Sequence, residues 1–261
     1  MRNILITGAE SYIGQQFREY IDHDKEIYSV TELDVRDDEW KNFDFSKFDV
    51  IYHVAAIVHR NEKEVEESLY YRVNRDLTYS IAKKAKESGV KQFVFMSTMS
   101  VYGLITSKED IGLNTICSPV TKYGKSKLEA EKLLDELNDD KFKVCIVRPP
   151  MVCGMSAPGN MGKLISVVKK LRVFPEYHNE RSYITINTLV AFIKELIDKN
   201  KDGVFLPQES EYLCTSDFIK EYMKNSGIKV HYTKKFNPII SMFVGRMNLI
   251  AKCFGDLKYE K

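Results

Sequence analysis

Tyr123 and Lys127 stand four residues apart in Tyr123-Gly124-Lys125-Ser126-Lys127. On a helix that spacing puts both side chains on one face. An ammonium beside a phenol favours the phenolate, drawing down a pKa that starts near ~10. Such a tyrosine can trade a proton with a substrate hydroxyl near neutral pH, as general acid–base catalysis requires. Thr98, in Ser97-Thr98-Met99-Ser100-Val101-Tyr102-Gly103, adds a hydroxyl at the end of an apolar run. The three together spell oxidoreductase chemistry on an alcohol.

A second Tyr-x-x-x-Lys, Tyr79-Ser80-Ile81-Ala82-Lys83, serves as an internal control. It lies inside a long helical pattern with no hydroxyl-bearing strand end before it, and reads as ordinary helix surface. Context separates the two copies, so the elements around Tyr123 carry the argument.

Apolar runs of strand length at Asn3–Thr7, Glu26–Val30, Val50–Ala55, Gln92–Ser97 and Lys143–Arg148 alternate with helical stretches at Tyr12–Ile21, Arg72–Ser88 and Lys122–Leu137. This alternation, with strands apolar throughout, predicts an α/β fold: a Rossmann-like, doubly wound parallel sheet with helices on both faces. Ligands on such sheets bind beyond the carboxyl ends of the strands. After Pro149-Pro150 the rhythm breaks into loops rich in Gly, Pro and Met. Helices follow near Lys163–Leu171, Asn187–Lys199 and Ser216–Ser226, with Asn187 and Ser216 as N-caps and a short strand at Gly203–Leu206. The expected organisation is a dinucleotide-binding part over residues 1–150, rejoined by later elements to about residue 205, and a small, interleaved substrate-binding part over 151–261.

With 261 residues, 44% of them hydrophobic, the chain can bury a sizeable core. A net charge of +2, dispersed along the sequence, excludes a nucleic-acid field. Cys117, Cys145, Cys153, Cys214 and Cys253 are odd in number and form no Cys-x-x-Cys pair, so neither a disulfide framework nor a metal site is expected. Met1–Thr7 is too brief for a secretion signal, and no apolar run approaches the ~20 residues of a membrane span. Pro238–Gly255 is apolar but carries Arg246 and Lys252; it reads as a C-terminal helix packed on the body rather than a helix lying on a membrane. The expected location is the cytoplasm.

The first strand enters Gly8-Ala9-Glu10-Ser11-Tyr12-Ile13-Gly14 and then a helix. Glycines in such a turn permit the bend and let the backbone approach a pyrophosphate, which sits on the helix N-terminus. Ser11 occupies the middle position; a serine fits if its φ stays negative, and its hydroxyl can bond a phosphate. The acid that bonds ribose at the end of a second strand has no clean match, with Thr31 or Glu32 nearest. NAD is expected, with NADP left open.

Taken in order, these segments resemble the extended short-chain dehydrogenase/reductase family, in particular its nucleotide-sugar epimerases and reductases. Gly8-x-x-Ser11-x-x-Gly14 is similar to the family's Gly-x-x-Gly-x-x-Gly, and His53-Val54-Ala55-Ala56 resembles the end of its fourth strand. Asn74 matches the asparagine of the next helix, and Leu33-Asp34-Val35-Arg36-Asp37 resembles the segment that holds adenine. Arg148-Pro149-Pro150-Met151-Val152-Cys153-Gly154 is similar to the turn beside the nicotinamide, with cysteine in place of its tyrosine.

The resemblance implies Tyr123 as acid/base on the sugar hydroxyl, Lys127 on the nicotinamide ribose and Thr98 on the same sugar oxygen. It implies a cofactor lined by Gly8, Ser11, Tyr12, Ile13, Gly14, Thr31, Asp34, Val35, Ala55, Ala56, Asn74, Ser97, Pro149 and Val152. It implies a substrate met by Thr98, Met99, Met151, Asn160, Met161 and Arg181, the arginine suited to a diphosphate by its planar fork. Dehydratases of the family need an acid and a base where this chain has Met99 and Ser100, so loss of water is not expected. A nucleotide-sugar 4-epimerase, with a UDP-linked substrate of surface polysaccharide biosynthesis, is the leading expectation. A 4-keto reductase uses the same Thr, Tyr and Lys, and a non-catalytic dinucleotide sensor remains as a reading of another class. The chain stops about where the subgroup acting on N-acetylated UDP-sugars continues, which implies a shortened substrate part. Helix faces near Lys84 and Lys132 could form a homodimer.

Overall fold

The computed structural model describes residues 1–58, 65–153 and 160–261. In chain order the elements are β1 (Arg2–Thr7), α1 (Tyr12–Ile21), β2 (Tyr28–Leu33), β3 (Val50–His53), α2 (Glu67–Tyr70), a π-helical turn (Tyr71–Leu77), α3 (Thr78–Glu87), β4 (Gln92–Met96), α4 (Lys122–Asp135), β5 (Lys143–Val147) and β6 (Met151–Cys153). Then follow α5 (Asn160–Leu171), β7 (Val173–Pro175), β8 (Tyr183–Thr185), α6 (Ile186–Asp198), β9 (Gly203–Phe205), α7 (Thr215–Asn225), β10 (His231–Thr233), α8 (Asn237–Phe243) and α9 (Asn248–Phe254).

The six-stranded sheet has the order β2-β1-β3-β4-β5-β9, and every pairing is parallel. Alternation along its strands sends side chains to two cores. On one face Ile4, Ile6, Tyr52 and Val94 pack with Phe17 and Ile21 of α1 and with Leu189, Val190 and Ile193 of α6. On the other, Leu5, Ile51, Phe93 and Phe95 pack with Ile81, Ala82 and Ala85 of α3 and with Ala130 and Leu134 of α4. A strand buried on both faces must be apolar throughout, as these are. The expected doubly wound α/β sheet is what the chain forms.

Two departures shape the site. β2 runs to Leu33 rather than stopping at Val30, because Thr31, Glu32 and Leu33 pair with Leu5, Ile6 and Thr7. Beyond it, residues 34–49 hold only two 3-10 turns, Asp38–Asn42 and Phe45–Lys47, before β3. Among the described residues no strand flanks β2 on its outer side, so the segment that resembled a fourth strand is the third in this sheet.

The helix read over Arg72–Ser88 begins earlier and is interrupted by the π-helical turn around Asn74. The expected N-caps give way to others. Thr185 caps α6 by accepting from Thr188 N, and Ser216 bonds Tyr177 instead of capping α7. Pro238–Gly255 is two seven-residue helices rather than one.

The chain divides into two compact units. The first comprises Met1–Gly103, Ile116–Gly154 and Ile184–Pro207, and contains the sheet. The second comprises Leu104–Thr115, Met155–Tyr183 and Gln208–Lys261. Val168, Phe174, Ile219 and Met223 form its buried centre, with Met161 packed against them. Leu104–Thr115 joins the second unit through Ile111, which bridges to Tyr259 and donates to Lys258 O at 2.8 Å.

Candidate active site

The sheet reverses direction of winding between β1 and β3, which places a crevice at their carboxyl ends. Gly8 turns the chain there with φ +108, and a Cβ on it would lie 2.6 Å from Ala55 N just beyond β3. Only glycine fits this close approach. Ser11 has φ −68 and accepts from Gly14 N at 3.2 Å, so it caps α1 as a serine at negative φ can. Glu10 between them is held at φ +68, a left-handed conformation that costs a non-glycine residue roughly 1–2 kcal/mol. The turn thus presents the N-terminus of a ten-residue helix at the switch point, the arrangement that accepts a pyrophosphate.

Beyond β2 the first acid is Asp34, not Thr31, which lies inside the strand, nor Glu32, which pairs with Arg18. Arg36 bonds the Asp34 carboxylate through its side chain and its backbone N–H and holds its pKa below the usual range. A cavity of about 340 Å³ opens beside it, lined by Leu33, Asp34, Asp37, Glu39, Asn42 and Phe43. The residues that resembled an adenine segment therefore border a hollow at the right end of the sheet.

Asn74 plays an indirect part. Its fully buried amide accepts from Ile57 N at 2.8 Å and donates to Ile57 O at 3.2 Å and to Ser126 Oγ at 3.1 Å. It clamps the loop that carries Ala55 and Ala56 to α4. At the end of β3, His53 bridges Thr7 Oγ1 at 2.7 Å and Thr78 Oγ1 at 2.9 Å. Burial pushes its pKa down to about 3, with Lys127 adding to the effect, so the imidazole is neutral.

The catalytic candidates converge at the ends of β4 and β5. Thr121 caps α4 by accepting from Gly124 N at 2.9 Å, which sets Tyr123 in the first turn. A Cβ on Gly124 would stand 2.7 Å from Ser100 O, so the bare glycine lets α4 press on the turn that follows Thr98. The Thr98 hydroxyl stands near enough to the Tyr123 phenol to pull its pKa down. Thr98 also accepts from Ser100 N at 3.1 Å, which fixes its hydroxyl. Ser97 N bonds Val147 O at 2.7 Å and Met99 N bonds Pro149 O at 2.9 Å, tying the Pro149–Val152 segment to the same end of the sheet.

The electrostatics differ from those expected of a phenol beside an ammonium. Burial raises the Tyr123 pKa, and the Thr98 hydroxyl offsets this only in part. Lys127 is buried, donates to Met96 O at 2.8 Å and lies 4.4 Å from the centre of the Phe95 ring. Its own pKa is drawn down to about 7 by burial, against the pull of Glu131. Loss of hydration outweighs the pairwise effect for both groups.

Glu131 was not singled out from sequence. It continues the spacing Tyr123, Lys127, Glu131 along one helix face, and that extra step of four was the available signal. Ser97 Oγ and the Arg148 guanidinium both donate to its carboxylate, and Arg148 Nη1 donates to Tyr102 Oη at 2.9 Å. The control pair behaves as read: Lys83 is exposed and pairs with Glu87.

In the second unit Met161 joins the core, and Arg181 donates through Nη1 to Gly255 O at 2.7 Å. Arg181 thereby closes the end of α9 instead of offering its whole fork to a phosphate. Gly154, Pro158, Gly159 and the Asn160 side chain lie outside the described residues.

A dinucleotide-dependent oxidoreductase is the class that this fold and crevice define. Residues 4–204 match the NAD dependent epimerase/dehydratase family, and the chain belongs to it. It is 31% identical over 249 residues to a UDP-glucose 4-epimerase of Vibrio cholerae, covering 84% of this chain and 74% of that protein. It is 29% identical over 209 residues to the N-acetyl-alpha-D-glucosaminyl-diphospho-ditrans,octacis-undecaprenol 4-epimerase of Escherichia coli O157:H7, covering 74% of this chain and 62% of the relative. The fold is similar to that of a UDP-glucuronic acid 4-epimerase from Bacillus cereus in complex with NAD, with a TM-score of 0.75, 19% identity and coverage of 99% and 89% of the two chains. Membership makes the protein an NAD(P)-dependent enzyme of the epimerase and oxidoreductase type. Among the described residues no helix is long and apolar enough to cross a membrane.

Proposed function

We propose that this chain is a 4-epimerase of a UDP-linked hexose or N-acetylhexosamine. The observation that carries the reading is the placement of Thr98 beside Tyr123 where β4 ends, with Gly124 letting α4 press on the turn that follows Thr98 and Lys127 one helical turn along. In such a pair one hydroxyl orients the substrate oxygen and the other exchanges its proton. Burial keeps Tyr123 protonated at neutral pH, the form that donates to a carbonyl oxygen at C4. Taking the proton of a C4 hydroxyl needs the phenolate, which a Lys127 charge favours.

The Gly8–Gly14 turn would hold the pyrophosphate of NAD. Asp34 and Val35 would hold its adenosine, and Ala55, Ala56, Ser97, Pro149, Val152 and Lys127 its nicotinamide half. When bound, NAD supplies the two-electron acceptor and donor that C4 chemistry needs. Asn74 holds the Ala55-Ala56 loop in register with α4.

Met99 and Ser100 offer no acid or base with a useful pKa next to Thr98, which disfavours loss of water. The Vibrio cholerae and Escherichia coli relatives both carry 4-epimerase in their names, which favours epimerisation over reduction of a 4-keto sugar. The test is incubation of the purified protein with UDP-glucose and with UDP-N-acetylglucosamine, with and without NADPH. Interconversion of 4-epimers with no net change in nicotinamide absorbance supports the reading. Stoichiometric oxidation of NADPH with a 4-keto sugar replaces it with a reductase. A polyprenyl-diphosphate-linked N-acetylhexosamine belongs in the same panel, because the Escherichia coli relative is named for that substrate.

A further inference from the structure

Between Glu221 and Asp256 the chain contains no acidic residue, although Asp and Glu number 37 in its 261 residues. The same interval holds Lys224, Lys229, Lys234, Lys235, Arg246 and Lys252. All six are exposed, and among the described residues none takes part in an ion pair. This separation of charge lies within the second unit, around α8 and α9.

The two helices have one committed face and one open face. Ile240 and Ala251 are buried, and Phe254 packs against Phe174 and Tyr177 with ring centroids 5.7 Å and 5.8 Å away. Outward, Ile239 is 55% exposed, Met242 60%, Met247 48% and Leu249 74%, with Phe236 at 44% just before α8. Arg181 bonds the last carbonyls of α9 and so fixes the helix that carries Leu249. The open face is therefore held in place while it presents large apolar side chains to solvent. Three of these five have a cation close in sequence: Lys234 and Lys235 before Phe236, Arg246 before Met247, and Lys252 after Leu249.

Against the sequence reading of Pro238–Gly255 as a helix packed on the body rather than lying on a membrane, we propose that α8 and α9 form a docking surface for an anionic phospholipid bilayer, lying in its interface without spanning it. The six cations draw the surface to lipid phosphates against a minority of acids, Glu176 beside the start of α8 and Asp256 after α9, and the apolar tips enter the acyl boundary. A second copy of the chain fits less well. A two-fold contact through this face would set the same six cations against each other with no carboxylate from α8, α9 or the turn between them. The inference stands on the second unit alone and does not depend on which sugar the crevice takes.

Flotation of the purified full chain with vesicles tests it, using phosphatidylcholine alone and an equimolar mixture with phosphatidylglycerol. The chain should rise with the mixed vesicles only, and less so at high salt. Replacing Lys234 and Lys235 by Glu should weaken binding by at least about five-fold per lysine. The triple variant Ile239→Ser, Met242→Ser, Leu249→Ser should release the chain from the vesicles with its circular dichroism and its activity on a soluble sugar nucleotide unchanged. Failure to float with mixed vesicles at low salt overturns the proposal, as does undiminished binding by the triple variant. So does a dimer in sedimentation that the triple variant abolishes while the parent chain leaves vesicles untouched, since that would make the face an interface between copies.

Discussion

The Glu131 carboxylate receives the Arg148 guanidinium in a two-pronged ion pair, with Nε at 3.0 Å from Oε1 and Nη2 at 2.6 Å from Oε2, inside the first unit. The pair joins α4 to the residue that follows β5, and Ser97 Oγ on the same carboxylate adds the residue that follows β4. It therefore sets how far the helix bearing Tyr123 stands from the strand end bearing Thr98. Replacing Glu131 by Ala leaves Arg148 buried without its counter-charge and should cost about 3–5 kcal/mol of stability in urea unfolding. A loss below about 1 kcal/mol would show that the pair contributes little to holding these elements.

Tyr123→Phe removes the proton carrier and leaves the ring's packing in place. Turnover of the sugar nucleotide should fall by about 10²–10⁴-fold while NAD affinity, read by fluorescence titration, changes little. Thr98→Val should lower kcat by a smaller factor with the cofactor again bound. Full activity in Tyr123→Phe would dismiss the assignment.

Lys127 makes stability depend on pH in a definite direction. Its pKa is about 7 in the folded chain against 10.5 for the unperturbed group, so across that window the unfolded chain binds more protons. Stability should therefore rise from pH 7 toward pH 10, by at most about 1.4 kcal/mol per unit from this group. Urea midpoints measured over that range should climb in the parent chain and climb less in Lys127→Met. An equal slope in both would assign the effect elsewhere.

The end of β2 predicts a preference for NAD over NADP. Asp34, Asp37 and Glu39 line the cavity there, and Arg36 is already engaged by Asp34 and Glu10, leaving a poor setting for a ribose phosphate. Titration should show tighter binding of NAD, and Asp34→Ala should weaken it by about ten-fold, the loss of a charged hydrogen bond. Tighter binding of NADP would reverse the assignment of this acid.

Much of this was legible in the sequence because burial on both faces leaves no freedom in composition. Strands such as Gln92–Met96 could hardly read otherwise, and α1 was bounded by Ser11 at one end. The shared face of Tyr123 and Lys127 was legible because helical spacing is local, whereas the approach of Thr98 to them depends on how α4 packs on the turn after β4. What escaped depended on distant partners. The extension of β2 comes from pairing with β1, and the excursion of Leu104–Thr115 comes from Tyr259 and Lys258. The direction of the Tyr123 shift escaped for a related reason: a spacing argument sees the neighbouring charge but not the water that folding removes.

The π-helical turn over Tyr71–Leu77 has a consequence for how this chain tolerates change in length. A π turn carries one residue more than the α-helix it interrupts, so the segments on either side differ in phase. Deleting a single residue there would let α2 and α3 run on as one regular helix, and it would rotate one against the other by about 100°. Thr78 could then no longer meet His53 while Asn74 met Ile57 and Ser126. The surplus residue is the shim that lets one helix meet β3 and α4 at once, and the helix can be lengthened or shortened beyond its ends far more safely than within that turn.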